Sequence, residues 1–261
     1  MEYKEVIGLR RSIRFYQPWR PVEREKIQTI LEAARLSSRA VNGDFAKAIV
    51  VQRDEIPQEQ RDGLKTPTTQ AQLDLAPVWI FWYGNPDVPA NGPQNLKLLV
   101  DVGALVPALG WSHAYVDEVV YPQVLSPIAQ NEAAIAVLTA VEAGLAICQA
   151  VLAAVDEGLG TQLTAFNAER AKEILNPPDH WIPLWIQLVG YPAESREAGG
   201  QRPRGPWEDD YFEGRYGQPF RRDERVVEKL RAAGMLQDAA PQPWREAEIR
   251  GLARMFGLPE E

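Results

Sequence analysis

Between Glu132 and Asp156 lies AAIAVLTAVEAGLAICQAVLAAV (133–155), an almost unbroken apolar run. It is long enough to cross a bilayer as a helix, so any fold must either bury it or expose it to lipid. Its composition favours burial. Alanine dominates, Glu142 and Gln149 interrupt it, and acidic residues flank it, a pattern that transfers poorly into lipid. The run therefore predicts a long central helix from about 129 to 157, apolar on nearly all sides because it is buried on nearly all sides. Small residues at 143, 144, 146, 150, 153 and 154 let other helices approach closely, as at the heart of a bundle or a dimer. Gly158 supplies the stop.

The rest of the chain arranges itself around that helix. Residues 3–11 predict a short helix. VEREKIQTILEAARLSS (22–38) predicts an amphipathic one, with Ile27, Ile30, Leu31 and Ala34 on one face and Pro21 at its start. Strands are expected at AIVVQ (48–52), APVWIFWYG (76–84), TQLTAF (161–166) and IPLWIQLVGYP (182–192). NPDVPANGP (85–93) predicts a loop. Residues 94–115 predict helical stretches with a break at Pro107, and AERAKEIL (168–175) a short helix. Helices outweigh strands, which predicts an α+β fold with a mixed or antiparallel central sheet packed by helices. Beyond Gly190 the periodicity fades. Two short helices are expected at 224–234 and 244–255, and the aromatic residues of the tail predict a segment that wraps a surface.

Bulk properties exclude several functions. The net charge of -8 argues against general nucleic-acid binding, which draws its affinity from neutralising phosphates. A single cysteine, Cys148, forbids an intrachain disulfide and fits a reducing compartment. The start MEYKEVIGLRR lacks an apolar secretory segment, so a cytoplasmic protein is expected. His113 and His180 are far apart, and neither has a ligand at metal-binding spacing. No GxSxG elbow, GxGxxG strand–helix turn or GxxxxGK loop occurs, and GLGTQL (158–163) ends a helix instead of opening one. A chain this poor in self-sufficient catalytic groups, if an enzyme, borrows its chemistry from a bound cofactor.

Against the acidic background, GLRRSIRFY (8–16) gathers Arg10, Arg11 and Arg14 around Ser12. Cations at a helix C-terminus are favourable in themselves. Guanidinium forks beside a hydroxyl equally suit a phosphate. A second group, GGQRPRGP (199–206), places Arg202 and Arg204 on one side of an extended chain, behind two glycines that allow a close backbone approach. Spacing leaves open whether the two groups meet on one anion.

RRSIRFY, the helix ending EAARLSSRAVNGDFAKAIVV, the Ala-rich helix ending GLGT, the strand WIQLVGYP and the late Arg-x-Arg together resemble the FMN-dependent nitroreductase family, in order, over residues 5 to about 205. The resemblance implies an α+β sandwich with a mostly antiparallel sheet, working as an intertwined homodimer with FMN at the subunit interface. It implies that Arg10 and Ser12 contact phosphate and ribityl, with Arg11 beside them, and that Arg14 faces the pyrimidine edge of the flavin. There a cation stabilises the charge that develops near N1 and O2. Leu163, Thr164 and Ala165 would lie over the dimethylbenzene and N5 side, and Arg202 and Arg204 would close on the phosphate. The loop Ser38, Arg39, Ala40, Val41, Asn42 would reach the partner's flavin. It keeps the family's Asn42 but has Arg39 for a serine and Asp44 for a glutamine, so Arg39 adds a cation for phosphate or substrate.

The activity implied is ping-pong hydride transfer from NADH or NADPH, through flavin N5, to a nitroaromatic, quinone or related small electron-poor acceptor. Two alternatives stand beside it: a flavin-dependent dehydrogenase or dehalogenase of a specialised metabolite, and a non-catalytic FMN-binding protein. Trp111, His113, Tyr115, Tyr121, Trp207 and Tyr211 are candidate pocket walls. Residues 1–205 are expected to form the FMN-binding domain, and 206–261 an extension that wraps the same domain or, as we expect, embraces the partner. No membrane or nucleic-acid partner is expected.

Overall fold

Every residue of VWIFWYG (β2, Val78–Gly84) is buried, as a strand enclosed on both faces requires. Side chains alternate across a strand, so Val78, Ile80 and Trp82 enter one core while Trp79, Phe81 and Tyr83 enter another. In the computed structural model, which describes residues 1–260, β2 lies inside a four-stranded sheet of order β1-β2-β4-β3. Its neighbours are β1 (Ala46–Gln52) and β4 (Ile182–Gly190), and β4 in turn pairs with β3 (Gly160–Thr164). All three pairings are antiparallel, with Ile80 opposite Val50 on one side and Gln187 on the other. Of the two arrangements the sequence allowed, the sheet is the antiparallel one.

Helix α1 (Tyr3–Leu9) precedes α2 (Arg24–Arg35), whose Ile27, Ile30 and Ala34 pack on the first core face. The second face is covered by α3 (Gln58–Leu64), α4 (Ala71–Leu75) and, after β3, α9 (Ala168–Leu175), through Leu64, Leu73 and Ala171. Between β2 and the central helix runs a helical excursion. It comprises α5 (Val88–Asp101), the short α6 (His113–Tyr115), a π-helix (Val116–Leu125) and α7 (Ser126–Ala129) around a small cluster of Leu96, Val116 and Leu125. The loop expected at 85–93 is therefore half helix. Pro89 stands in the first turn, where its missing N–H has no intrahelical partner to lose. Pro93 removes one later bond without ending the helix.

The central helix is α8 (Glu132–Asp156). Ala143, Ala146, Ile147, Ala150 and Ala154 lie against the sheet and α2. The expectation of burial on nearly all sides is not met within one chain. Val137, Val141 and Leu145, one turn apart, remain 65%, 58% and 45% exposed. Only one layer of this chain covers the helix, and its opposite stripe is apolar and open.

The tail holds α10 (Trp207–Asp210), α11 (Glu224–Ala232) and α12 (Arg245–Phe256). Much of it packs on its own chain. Leu252 and Ala253 of α12 are buried, and Phe256 stacks on Phe15 and Trp19 at ring separations of 6.2 and 6.1 Å. The paired glycines serve this packing. Gly200 has φ +109°, and a Cβ there would stand 2.9 Å from the Ala240 nitrogen. By contrast, Trp207, Tyr211 and Phe220 group on an outlying hairpin, with Tyr216 89% exposed.

Candidate functional site

Arg10 caps α1, and the chain then runs beside β3, where Ser12 bridges Thr161 and Ile13 N donates to Thr161 O at 3.1 Å. The same segment is tied to the chain beyond β4 by one buried carboxylate. Glu194 Oε1 accepts the Arg14 amide at 2.5 Å and the Phe15 amide at 3.0 Å. The Arg245 guanidinium of α12 lies 2.6 Å from Glu194 Oε2, a charge contact without hydrogen-bond alignment. This stitching carries residues 201–204 back to the end of α1.

The two arginine groups meet there. Arg10, Arg11, Gln201, Arg202 and Arg204 line one cavity of about 250 Å³, with Ile7, Met235 and Leu236 as apolar walls. Arg202 donates to Ala198 O at 2.9 Å, while Arg10 and Arg204 have no acidic partner among the described residues. Desolvation and then the facing Arg204 hold the Arg10 guanidinium below the usual arginine range. Arg202 is lowered in the same way, first by burial and then by Arg14 and Arg245. Glu194 partly offsets this at Arg202, whereas Arg10 and Arg204 face each other with no carboxylate between them.

Arg11 has a different job. It also lines that cavity, but it is 4% exposed and its guanidinium donates to Gly8 O, Arg10 O, Glu197 O and Gln237 Oε1, so it braces α1 to the tail. Arg14 is exposed and donates to Ser12 O at 3.1 Å. At the end of β3, Leu163 packs against the first core, the Thr164 hydroxyl pairs with Thr69 Oγ1 at 2.6 Å, and Ala165 is exposed while its carbonyl accepts from Thr69.

The 38–44 loop lines a separate cavity of about 210 Å³ with Arg35, Arg39, Asp44, Lys47 and Trp82. Ser38 and Asn42 are exposed. Arg39 is not the free cation expected. It pairs with Asp44 and donates to Arg35 O, so the two departures from the family pattern neutralise each other. Glu142, Glu194 and Arg245 complete the arrangement without having been singled out as site residues. Only Glu142, an acid inside an apolar run, carried a visible signal. No cluster of potential metal ligands occurs among the described residues.

A helix-flanked antiparallel sheet with a guanidinium-lined cavity at one helix end defines an α+β protein. The sequence profile described as the nitroreductase family matches residues 7–191, and the chain belongs to that family. Its fold is shared by solved structures. A nitroreductase family protein from Streptococcus pneumoniae TIGR4 is 22% identical, covers 82% of this chain and 100% of its own, and superposes with a TM-score of 0.62. A candidate nitroreductase from Exiguobacterium sibiricum, solved in complex with FMN, is 20% identical over 80% of this chain and 95% of its own, with a TM-score of 0.62. A candidate NAD(P)H:FMN oxidoreductase from Staphylococcus epidermidis is 18% identical over 80% of this chain and 94% of its own, with a TM-score of 0.63. No curated protein matches the chain.

Proposed function

We propose that the protein is an FMN-dependent oxidoreductase taking hydride from NADH or NADPH and delivering it to a small electron-poor acceptor, a nitroaromatic, a quinone or a relative of these. The observation that carries this reading is the convergence of Arg10, Arg202 and Arg204 on one cavity that contains no acid. Such a site suits the FMN phosphate, and one solved relative in fold holds FMN. When bound, FMN supplies the hydride chemistry that none of this chain's side chains provides. Arg10, Arg202 and Arg204 neutralise the phosphate, and Ser12 adds a hydroxyl donor. Arg14, exposed beside them, serves the pyrimidine edge, while the Leu163–Ala165 turn shields the opposite end of the ring. Donor and acceptor occupy the same open face in turn, which requires no nucleotide-binding fold for the donor.

The site is completed by a second copy. The loop that carries Asn42 lines a cavity apart from the arginines of its own chain, and the open stripe of α8 offers a seam along which two copies pack. The test is the visible spectrum of protein reconstituted with FMN, before and after anaerobic addition of NADH or NADPH. Bound flavin that bleaches is the expected result. Bound flavin that stays yellow would favour a storage role or a flavin reduced by a substrate other than NAD(P)H, and absence of binding would sink the reading.

A further inference from the structure

We infer that Glu142 is a positioning residue, which holds the 38–44 loop in a strained conformation and thereby sets how that loop meets the flavin of a second subunit. The inference rests on the reading that a partner's flavin lies against this loop. A carboxylate in an apolar helix is costly unless it is bound. Glu142 is half-buried at the border between the sheet-facing and outward stripes of α8, and its Oε2 accepts the Ala40 amide at 2.8 Å. That bond joins the central helix to a loop a hundred residues earlier.

What the bond restrains is unusual backbone. Val41 and Asn42 are consecutive non-glycine residues with φ of 49° and 51°. Asparagine tolerates this region, but a β-branched valine there is a true outlier. Such strain persists only where the surroundings over-determine it. Here Val41 packs against the small cluster of the helical excursion, Arg39 is held by Asp44 and Arg35 O, and a Cβ on Gly43 would stand 2.1 Å from Val88 Cγ1. Of these restraints only Glu142 comes from α8, the helix whose outer stripe forms the proposed seam. It therefore couples the loop to the assembly.

The experiment compares wild type with Glu142→Gln and Glu142→Leu by FMN titration, by hydrogen–deuterium exchange over residues 36–45 and by acceptor kinetics. The Gln amide oxygen accepts the same N–H, so E142Q is expected to stay near wild type. E142L is expected to weaken FMN about tenfold, as loss of one hydrogen bond to a charged group predicts. Its loop should exchange faster, and acceptor KM should rise more than kcat falls. If E142L fails to fold, Glu142→Met keeps side-chain length and makes the same test. Wild-type FMN affinity and loop exchange in E142L would overturn the inference alone, as would an E142Q that behaves like E142L. A wild-type protein that binds no FMN would overturn the functional reading and this one with it.

Discussion

Tyr83 carries its phenol oxygen into the second core, beside the rings of Phe166 and Trp181, and finds no hydrogen-bond partner among the described residues. Burial pushes its pKa up to about 12. A raised acid pKa in the folded state means that the native protein holds the proton longer than the unfolded chain. The contribution is complete below the ordinary tyrosine value near pH 10 and lost as pH rises toward 12. Tyr83→Phe should therefore gain about 1 kcal/mol near neutral pH, because an unpaired buried hydroxyl is removed. It should also shallow the alkaline loss in denaturant titrations between those two pH values. Tyr16, also raised well above the ordinary tyrosine value by burial, leaves some of that loss in place. The arginines separate by the same reasoning about partners. Arg10→Met or Arg204→Met removes a cation with no acid to satisfy, and each should weaken FMN about tenfold or more with little change in melting temperature. Arg11→Met strands Gly8 O, Glu197 O and the Gln237 side chain. It should cost about 2–3 kcal/mol of stability, measured by urea unfolding of the apoprotein.

Two helices make opposite demands at the scale of elements. α8 buries one stripe and leaves Val137, Val141 and Leu145 outward. Leu145→Glu puts a charge into that stripe and should shift a dimer to monomer by light scattering, while the monomer keeps its helical circular dichroism. α12 instead packs on its own chain. Leu252 is 5% exposed, so Leu252→Ala should cost about 2–5 kcal/mol and leave the oligomeric state unchanged. A monomer produced by L252A would instead favour a tail that embraces the partner. The link from α12 through Arg245 to Glu194, and from Glu194 to the Arg14 and Phe15 amides, also gives the tail a role in shaping the arginine cavity.

For the whole molecule, the arginine cavity and the 38–44 loop line different openings of one chain. A subunit that lacks Arg204 and one that lacks Glu142 fail for different reasons. Co-expressed as a mixture, R204M and E142L chains form one intact site in each mixed dimer. Random pairing should then restore about a quarter of wild-type sites under two-fold symmetry. Restoration no greater than the sum of the two variants would show that both halves of each site come from one chain.

Periodicity alone placed α2, α9, α12 and all four strands to within a few residues, because each shows one apolar face and local turn chemistry at its ends. It missed the first turns of α5, where two prolines imitate a loop, and it could not foresee the π-helix. The arginine cavity was half legible. Arginine groups in an acidic chain declared a local need, and the family resemblance assigned them a phosphate. Which arginines remain free was decided by tertiary contacts: Arg11 is consumed by carbonyls of α1 and the tail, and Arg39 by Asp44, while Arg10 and Arg204 stay open. The local pattern by itself determined the helices, the strands and the excess of cations at two points, since these follow from side-chain spacing and type. Only the folded chain determined which side of α8 is covered, what Glu142 holds and which guanidiniums lack a partner. Burial and hydrogen-bond satisfaction depend on segments that are distant in sequence and close in space.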